Sequence, residues 1–498
     1  MSRLGGPGPA SEDKDSSKSK SMKKDKDDDD DAGGSKQPGK GLGTRGSAGK
    51  LLPPPESFRP NEVLAYNLTE ADLVKIAQRK FKIRDTFQLR SLNFTVTRLE
   101  TPNIQNAFTG RSALQEELPT SGFGLNHIYS ADLTRPANAP RSTDGGSAPM
   151  KSAAAPALAS PGTSVSRPGV GCAPDRCFGV SVINWQPQLA ACARGVRIGV
   201  IDTGVDTNHP AFADVLAGKR LKHKDFTPPS SKKPGNHHGT GILSLLAGNP
   251  RSSTPGLVPD ATFLVADAFF TERNGNAISD TVTMLKAIDW LIEQGVDVAN
   301  LSFAGPPDEF VHESIRKLAR KGTVILAAAG NEGRDAPKSY PAAYPEVIAV
   351  TAVDRKLAAY AYAGRGDHID VAAPGVEIWT ALPNKHEGPQ TGTSFAVPFV
   401  TSIVALNYRS EDQSVGPLEP KKRALALLQK NIKPIGDRGR NPVFGAGLVQ
   451  APSHCDPRIP DAVASAGRRL QPALAAPSLL PSAAGAWQST VHPVANHK

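Results

Sequence analysis

Aromatic side chains make up only 6% of the 498 residues, and no apolar run approaches the roughly 18 residues that a membrane-spanning helix needs. The longest apolar stretches, such as residues 323–329, have strand length, so no membrane span is expected. The first 34 residues are rich in Lys, Asp and Ser and hold no apolar core of the kind a secretory leader has, so no signal peptide is visible there. Cysteine is also sparse. Four residues, Cys172, Cys177, Cys192 and Cys455, are too few for a disulfide scaffold. Cys-x4-Cys without nearby histidines is poor zinc spacing, so no metal is expected of them. One or two disulfides fit an oxidising compartment, and the grouping of three cysteines between 172 and 192 makes a local clip the expected form, with the pairing left open.

What is plentiful is glycine and proline, 46 and 44 residues, which implies long stretches of loop and tail around a globular part of ordinary hydrophobic content, 39%. The net charge of +10 comes from dispersed Lys and Arg with no aromatic-basic interleaving, which argues for solvated surface charge and against a nucleic-acid partner.

Composition divides the chain into five parts. Residues 1–57 carry a Lys/Asp mixture, the acidic run Asp27–Asp31 and a Pro triplet, and cannot bury enough apolar surface to fold. Residues 58–133 alternate strand-like and helix-like patterns in the order β-α-β-β-α-β, which predicts a small ferredoxin-like α+β domain. Residues 134–175 are a Pro/Ala/Ser-rich linker, exposed and cleavable. Across residues 176–452, apolar strand-length runs such as Val196–Ile201, Thr262–Ala268 and Val324–Ala329 alternate with helical segments, the pattern of a parallel sheet covered on both faces. Residues 453–498 are an Ala/Pro-rich tail.

Three short segments carry chemistry. The run Val196–Asp202 is a buried strand that delivers Asp202 at its carboxyl end, followed by Thr203 and Gly204. Paired-carboxylate catalysis would need a second Asp-Thr-Gly, and there is none. His238 opens an apolar helix; its neighbour His237 competes for the same role, and Gly239 favours His238 because it allows close backbone approach. Ser394, in Gly392-Thr393-Ser394-Phe395-Ala396-Val397-Pro398, stands at a helix start where unpaired N–H groups face a developing oxyanion, although a serine there is most often a simple cap.

Asp202, His238 and Ser394 follow one another in one of the known chain orders of the Asp-His-Ser triad. Together the segments resemble the signature blocks of the subtilisin-like serine peptidases, peptidase family S8. A fourth block, Ile325–Gly333, resembles the family segment whose asparagine, here Asn331, completes the oxyanion hole. Further matches run from Asn300–Pro306 through Tyr340–Pro345 and Ala373–Gly375 to Gly445–Val449. The resemblance implies an α/β subtilisin-like three-layer fold with a mostly parallel sheet, and a serine endopeptidase acting on polypeptides through an acyl-enzyme without a cofactor. It implies substrate-binding residues Ser302, Phe303, Ala304 and Gly305 along an extended edge, with Ala328, Ala329 and Gly330 beside Asn331. It also implies that the 58–133 domain is a propeptide that inhibits the enzyme intramolecularly until cut in the linker, a zymogen arrangement. Phe395, Val397 and Phe399 replace the more usual Met, Ser and His, and Ala304 replaces Gly; these touch packing and specificity. The loop Asn249–Pro255 lacks the Asn-rich insert that binds calcium in many relatives, so no calcium is expected there. Family analogy favours a secreted or periplasmic location. The competing non-enzymatic reading is a catalytically idle subtilisin-like binding module, which would need a damaged triad or oxyanion hole.

Overall fold

The computed structural model describes residues 57–131 except 104, residues 164–165 and 173, and residues 176–455 except 230, 273–275, 409–418 and 438. The N-terminal and C-terminal tails and almost all of the linker lie outside these.

The front domain runs β1 (Phe58–Tyr66), α1 (Glu70–Gln78), β2 (Lys82–Leu89), β3 (Phe94–Glu100), α2 (Ala107–Glu117) and β4 (Gly122–Ser130). Helix α1 begins where the Thr69 hydroxyl accepts from the Asp72 N–H while the Asp72 carboxylate accepts from Thr69, a reciprocal cap that satisfies two otherwise unpaired donors. The strands pair antiparallel in the order β2-β3-β1-β4. Because successive strand residues point to opposite faces, Val63 and Ala65 join Ile76, Leu114 and Phe123 under the two helices, while Leu64 points the other way.

Downstream, short strand β5 (Ser164–Val165) and helix α3 (Phe178–Val182) precede β6 (Arg197–Asp202), α4 (Ala213–Ala217), β7 (Leu221–Asp225), α5 (His237–Ala247), β8 (Thr262–Asp267), β9 (Phe270–Thr271) and β10 (Ala277–Asp280). Then follow α6 (Thr281–Glu293), β11 (Val298–Leu301), α7 (Glu309–Arg320), β12 (Val324–Ala328), β13 (Val347–Val353), β14 (Ile369–Pro374), β15 (Ile378–Leu382), β16 (His386–Gln390), α8 (Thr393–Asn407) and α9 (Pro420–Gln429). Seven strands form an all-parallel sheet in the order β14-β13-β12-β11-β6-β8-β7. Both faces are covered, as an all-parallel sheet requires. Val324, Leu326 and Ala328 of β12 pack into the core shared with α5 and α8, whereas Ile325 and Ala327 pack into the core under α6 and α7.

That second core does not stop at the catalytic-length domain. Leu64, Leu89, Leu92, Phe94 and Val96 of the front domain belong to it. Strand β4 pairs antiparallel with β10, so the front sheet continues as β2-β3-β1-β4-β10-β9. Arg59 reaches Glu272 at 2.9 Å, the Leu92 N–H donates to Asp289 at 2.8 Å, and Tyr66 meets Phe310 edge-on at 4.8 Å.

The pairing that the sequence left open includes one long-range bond. Cys192 bonds to Cys455 across 263 residues, tying the segment before β6 to the end of the described chain, and Cys177 is disulfide-bonded as well. Between the front strands and β6, β5 pairs with β16 through Val165·His386 and Ser164·Glu387.

Candidate active site

Parallel strands all end on one edge of the sheet, and β6 ends there with Asp202, fully buried. Its Oδ1 accepts from the Thr203 N–H at 2.7 Å, which fixes the carboxylate against the turn that follows the strand. The second residue of α5 is His238, and its Nδ1 lies 2.7 Å from Asp202 Oδ1. Gly239 makes the approach possible: a Cβ there would fall 2.4 Å from the Thr203 carbonyl oxygen. The Gly239 N–H also donates to the Thr203 hydroxyl at 2.9 Å, locking helix to turn. His237, the competing imidazole, is exposed.

On the far side of the ring, His238 Nε2 lies 2.9 Å from Ser394 Oγ. With Nδ1–H donating to the carboxylate, Nε2 carries the lone pair and the Ser394 hydroxyl donates to it. Ser394 is the second residue of α8, with Gly392 as the flanking residue, so its hydroxyl is not spent as a helix cap. Phe395 packs edge-on against the imidazole at 5.2 Å, closing one side of the ring to water.

Asn331 follows β12 and Gly330. Its Oδ1 accepts from the Thr393 N–H at 2.9 Å and from the Thr393 hydroxyl at 3.0 Å, which fixes the amide plane. Nδ2 is buried with no protein partner. A Cβ built on Gly392 would lie 3.1 Å from Ser394 Oγ and 3.2 Å from Asn331 Nδ2, so the nucleophile-type hydroxyl and the unused donor flank one small space. An unpaired buried amide is costly unless something with negative charge completes it. Thr393 adjoins Ser394, yet its grip on Asn331 has no sequence signal, because the two lie 62 residues apart.

Ser302 is buried beside the serine: its hydroxyl donates to Asn300 Oδ1 at 2.6 Å and to the Ser394 carbonyl at 3.3 Å. Phe303, Ala304 and Gly305 continue away from it in extended form. Gly305 exchanges two backbone hydrogen bonds with Tyr340, and Ala304 exchanges two with Ser130 of β4, at 3.0 and 3.2 Å. Ala328 and Ala329 are buried at the end of β12, and the Gly330 N–H donates to the Thr393 hydroxyl at 3.2 Å. The residues singled out in the sequence therefore converge on one strand edge. Ser130 and Tyr129, which lie against that edge, had no local pattern to reveal them.

Beside Asp202 sits a second buried carboxylate. Asp267 of β8 is its in-register neighbour, and Asp225 of β7 is in register with Asp267. Lys233 Nζ donates to Asp267 at 3.2 Å and also to Asp225. Burial pushes the Asp267 carboxyl above the usual carboxylate range, with Lys233 acting against the rise. In the loop after α5, Asn249 Oδ1 accepts from the Arg251 N–H, and among the described residues no cluster of three or more His, Cys, Asp or Glu is arranged to hold a metal ion.

Known proteins place this architecture. The family model described as the subtilase family matches residues 193–447. The major intracellular serine protease of Bacillus subtilis is 32% identical over 268 residues, which cover 52% of this chain and 82% of that protein. Subtilisin E of the same organism is 32% identical over 216 residues, 42% of this chain and 55% of its own. Among solved structures, fervidolysin from Fervidobacterium pennivorans, a keratinolytic enzyme related to subtilisin, superposes with a TM-score of 0.58 at 20% identity over 79% of this chain and 60% of its own, a likeness of fold. A matched domain of this extent, on a parallel sheet of this order, means that the chain belongs to the subtilase family of serine peptidases.

Proposed function

We propose that the protein is a serine endopeptidase in which Asp202, His238 and Ser394 act as a catalytic triad, Asn331 supplies an oxyanion donor, and the front domain is an intramolecular propeptide. The observation that carries the reading is the single imidazole of His238 held between Asp202 at 2.7 Å and Ser394 at 2.9 Å.

In this mechanism Ser394 Oγ attacks the scissile carbonyl while its proton passes to His238 Nε2. Asp202 keeps the ring in the tautomer that has Nε2 free to accept, and stabilises the imidazolium once it forms. Negative charge gathers on the carbonyl oxygen and is met by Asn331 Nδ2 and the Ser394 N–H. His238 then protonates the leaving amine, and water releases the acyl group by the reverse proton path. The edge Ser302–Gly305 binds substrate through backbone hydrogen bonds, so it accepts many sequences. Ala328, Ala329 and Gly330 form the wall below the cut.

The propeptide reading is supported by the position of Ser130, which takes the hydrogen bonds of Ala304 that a substrate would need. The chain would be made inhibited and activated by cutting itself downstream of β4. The test is covalent labelling with a fluorophosphonate probe together with casein hydrolysis. Processed wild-type protein labels at one serine and digests casein, and Ser394→Ala does neither; equal labelling of both would overturn the reading.

A further inference from the structure

Asp202 of β6, Asp267 of β8 and Asp225 of β7 stand in register on neighbouring parallel strands, where the sheet ends. Residues in register across parallel strands point to one face. Two residues back, Val200 and Val265 lie in the core shared with α5, so the carboxylates of Asp202 and Asp267 are on the side of that helix. Asp202 is fully buried and Asp267 is 3% exposed, which leaves little water to screen either charge. Asp202 Oδ2 and Asp267 Oδ1 are buried without a hydrogen-bond partner among the described residues. Between Asp267 and the first turn of α5 lies Gly204. A Cβ there would come within 3.0 Å of Asp267 Oδ2 and 2.8 Å of Asn236 Oδ1, and a Cβ on Gly239 would come within 2.8 Å of the Gly204 carbonyl oxygen.

Lys233 lies in the loop that runs directly into α5. Its Nζ donates to Asp267 at 3.2 Å and also to Asp225, and among the described residues it is the one side chain that hydrogen-bonds the Asp267 carboxylate. The loop is pinned next to it, where the Lys232 carbonyl accepts from the Thr271 N–H at 2.7 Å. Burial pushes the Asp267 carboxyl up and Lys233 acts against that rise, which favours the ionised, paired form. The other charged or titratable groups around this site have different partners. His223 Nε2 is 3.8 Å from Asp267, beyond hydrogen-bond reach. Asp206, after β6, accepts from the Asn208 and Asn384 N–H groups, and Glu332 accepts from the Asn331 N–H. His209 accepts through Nδ1 from the Ala211 N–H, and burial lowers its proton affinity, so it stands neutral. His237 is exposed.

We infer that Lys233 and Asp267 form a charge pair that sets how readily His238 takes up a proton, and through it the lower end of the pH range in which the enzyme works. This rests on the peptidase reading above. His238 must be neutral for its Nε2 to accept from Ser394. An ionised Asp267 adds to the negative charge of Asp202 and favours the imidazolium, which cannot accept; the Lys233 ammonium opposes that charge from the other side. Both act on the imidazole from behind Asp202, so they are positioning residues and not catalytic ones. The segment that delivers His238 thus also carries the cation that keeps its ring neutral.

The experiment is the pH profile of kcat/KM on a peptide substrate, with processed enzyme well below its melting temperature. A His223→Gln background keeps that imidazole's own titration out of the profile. Asp267→Asn removes one negative charge at nearly constant shape, and the midpoint of the acid limb is expected to move down by about 0.5–1 pH unit. Lys233→Met removes the opposing charge and moves the midpoint up by about the same amount, Lys233→Arg leaves it in place, and the double variant Lys233→Met with Asp267→Asn returns it close to the parent. Anything but opposite shifts in Asp267→Asn and Lys233→Met overturns the proposal, including a loss of kcat at a fixed midpoint, which is what a purely structural role would give. A second measurement does not depend on turnover. In full-length Ser394→Ala protein labelled with ¹³C-histidine, the NMR titration midpoint of the His238 ring is expected to shift in the same two directions, and a ring that titrates alike in both variants sinks the idea. Opposite ring shifts without any Ser394-dependent hydrolysis would leave the charge pair standing and overturn the peptidase reading instead.

Discussion

Thr393 donates twice to Asn331 Oδ1, from its backbone N–H and its hydroxyl, and so holds the asparagine with its Nδ2 unpaired and next to Ser394. Asn331→Ala is expected to lower kcat by about 10²–10³-fold with little change in KM, since the donor acts on charge that develops only in the transition state. Thr393→Val keeps the N–H and removes the hydroxyl, so a smaller loss, again in kcat, is expected. Steady-state kinetics on a peptide substrate separates the two effects; a rise in KM alone would assign Asn331 to ground-state binding instead.

Asp202→Asn preserves size but offers His238 an amide in place of a carboxylate, which favours the wrong tautomer. The expected loss in kcat is about 10⁴-fold. The measurement is the rate of fluorophosphonate labelling at Ser394, and a loss under tenfold would mean that Asp202 serves mainly to tie the turn through the Thr203 N–H.

The Cys192–Cys455 bond closes 263 residues and so restricts the unfolded chain strongly. Replacing both cysteines by serine, in a Ser394→Ala background to prevent self-digestion, is expected to cost about 2–5 kcal/mol. Urea denaturation with and without reductant checks this, and reductant should then leave the double variant's main transition unchanged except for any effect of Cys177.

Burial raises the Asp267 carboxyl, so its contribution to stability is present at low pH and is lost as pH rises through its folded-state value. Lys233 offsets that loss by pairing with the ionised form. Lys233→Met therefore widens it, and the drop in melting temperature relative to the parent is expected to be larger near about pH 8 than near about pH 5. Because Lys233 is half-exposed, the cost at the higher pH should be at the lower end of about 1–3 kcal/mol. A deficit that grows toward low pH would reverse the assignment.

Strands such as β6, β8 and β12 were legible because each is a short, almost wholly buried apolar run, whereas the edge strand β7, with Lys222, His223, Lys224 and Asp225 exposed, carries no such run; the front part of the chain was legible because its residues alternate between two cores. Helix α2 begins at Ala107 because Asn106 caps it through the Thr109 N–H, and the start carries little apolar periodicity, since its small residues Ala107 and Gly110 pack where a larger periodic residue would have signalled. Gly239 was the sequence signal that favoured His238 over His237, and in the structure a Cβ at Gly239 would fall 2.4 Å from the Thr203 carbonyl oxygen.

By itself the amino-acid sequence determined which residues are candidates for the chemistry: Asp202 at a strand end, His238 and Ser394 at helix starts, Asn331 after a buried strand. Periodicity and short segments encode such positions locally. Only the tertiary structure decided that Thr393 grips Asn331, that Cys192 pairs with Cys455 and that Ser130 lies along Ala304. Each of these joins residues from 62 to 263 apart, and such contacts exist only once the sheet has brought the strand ends to one edge.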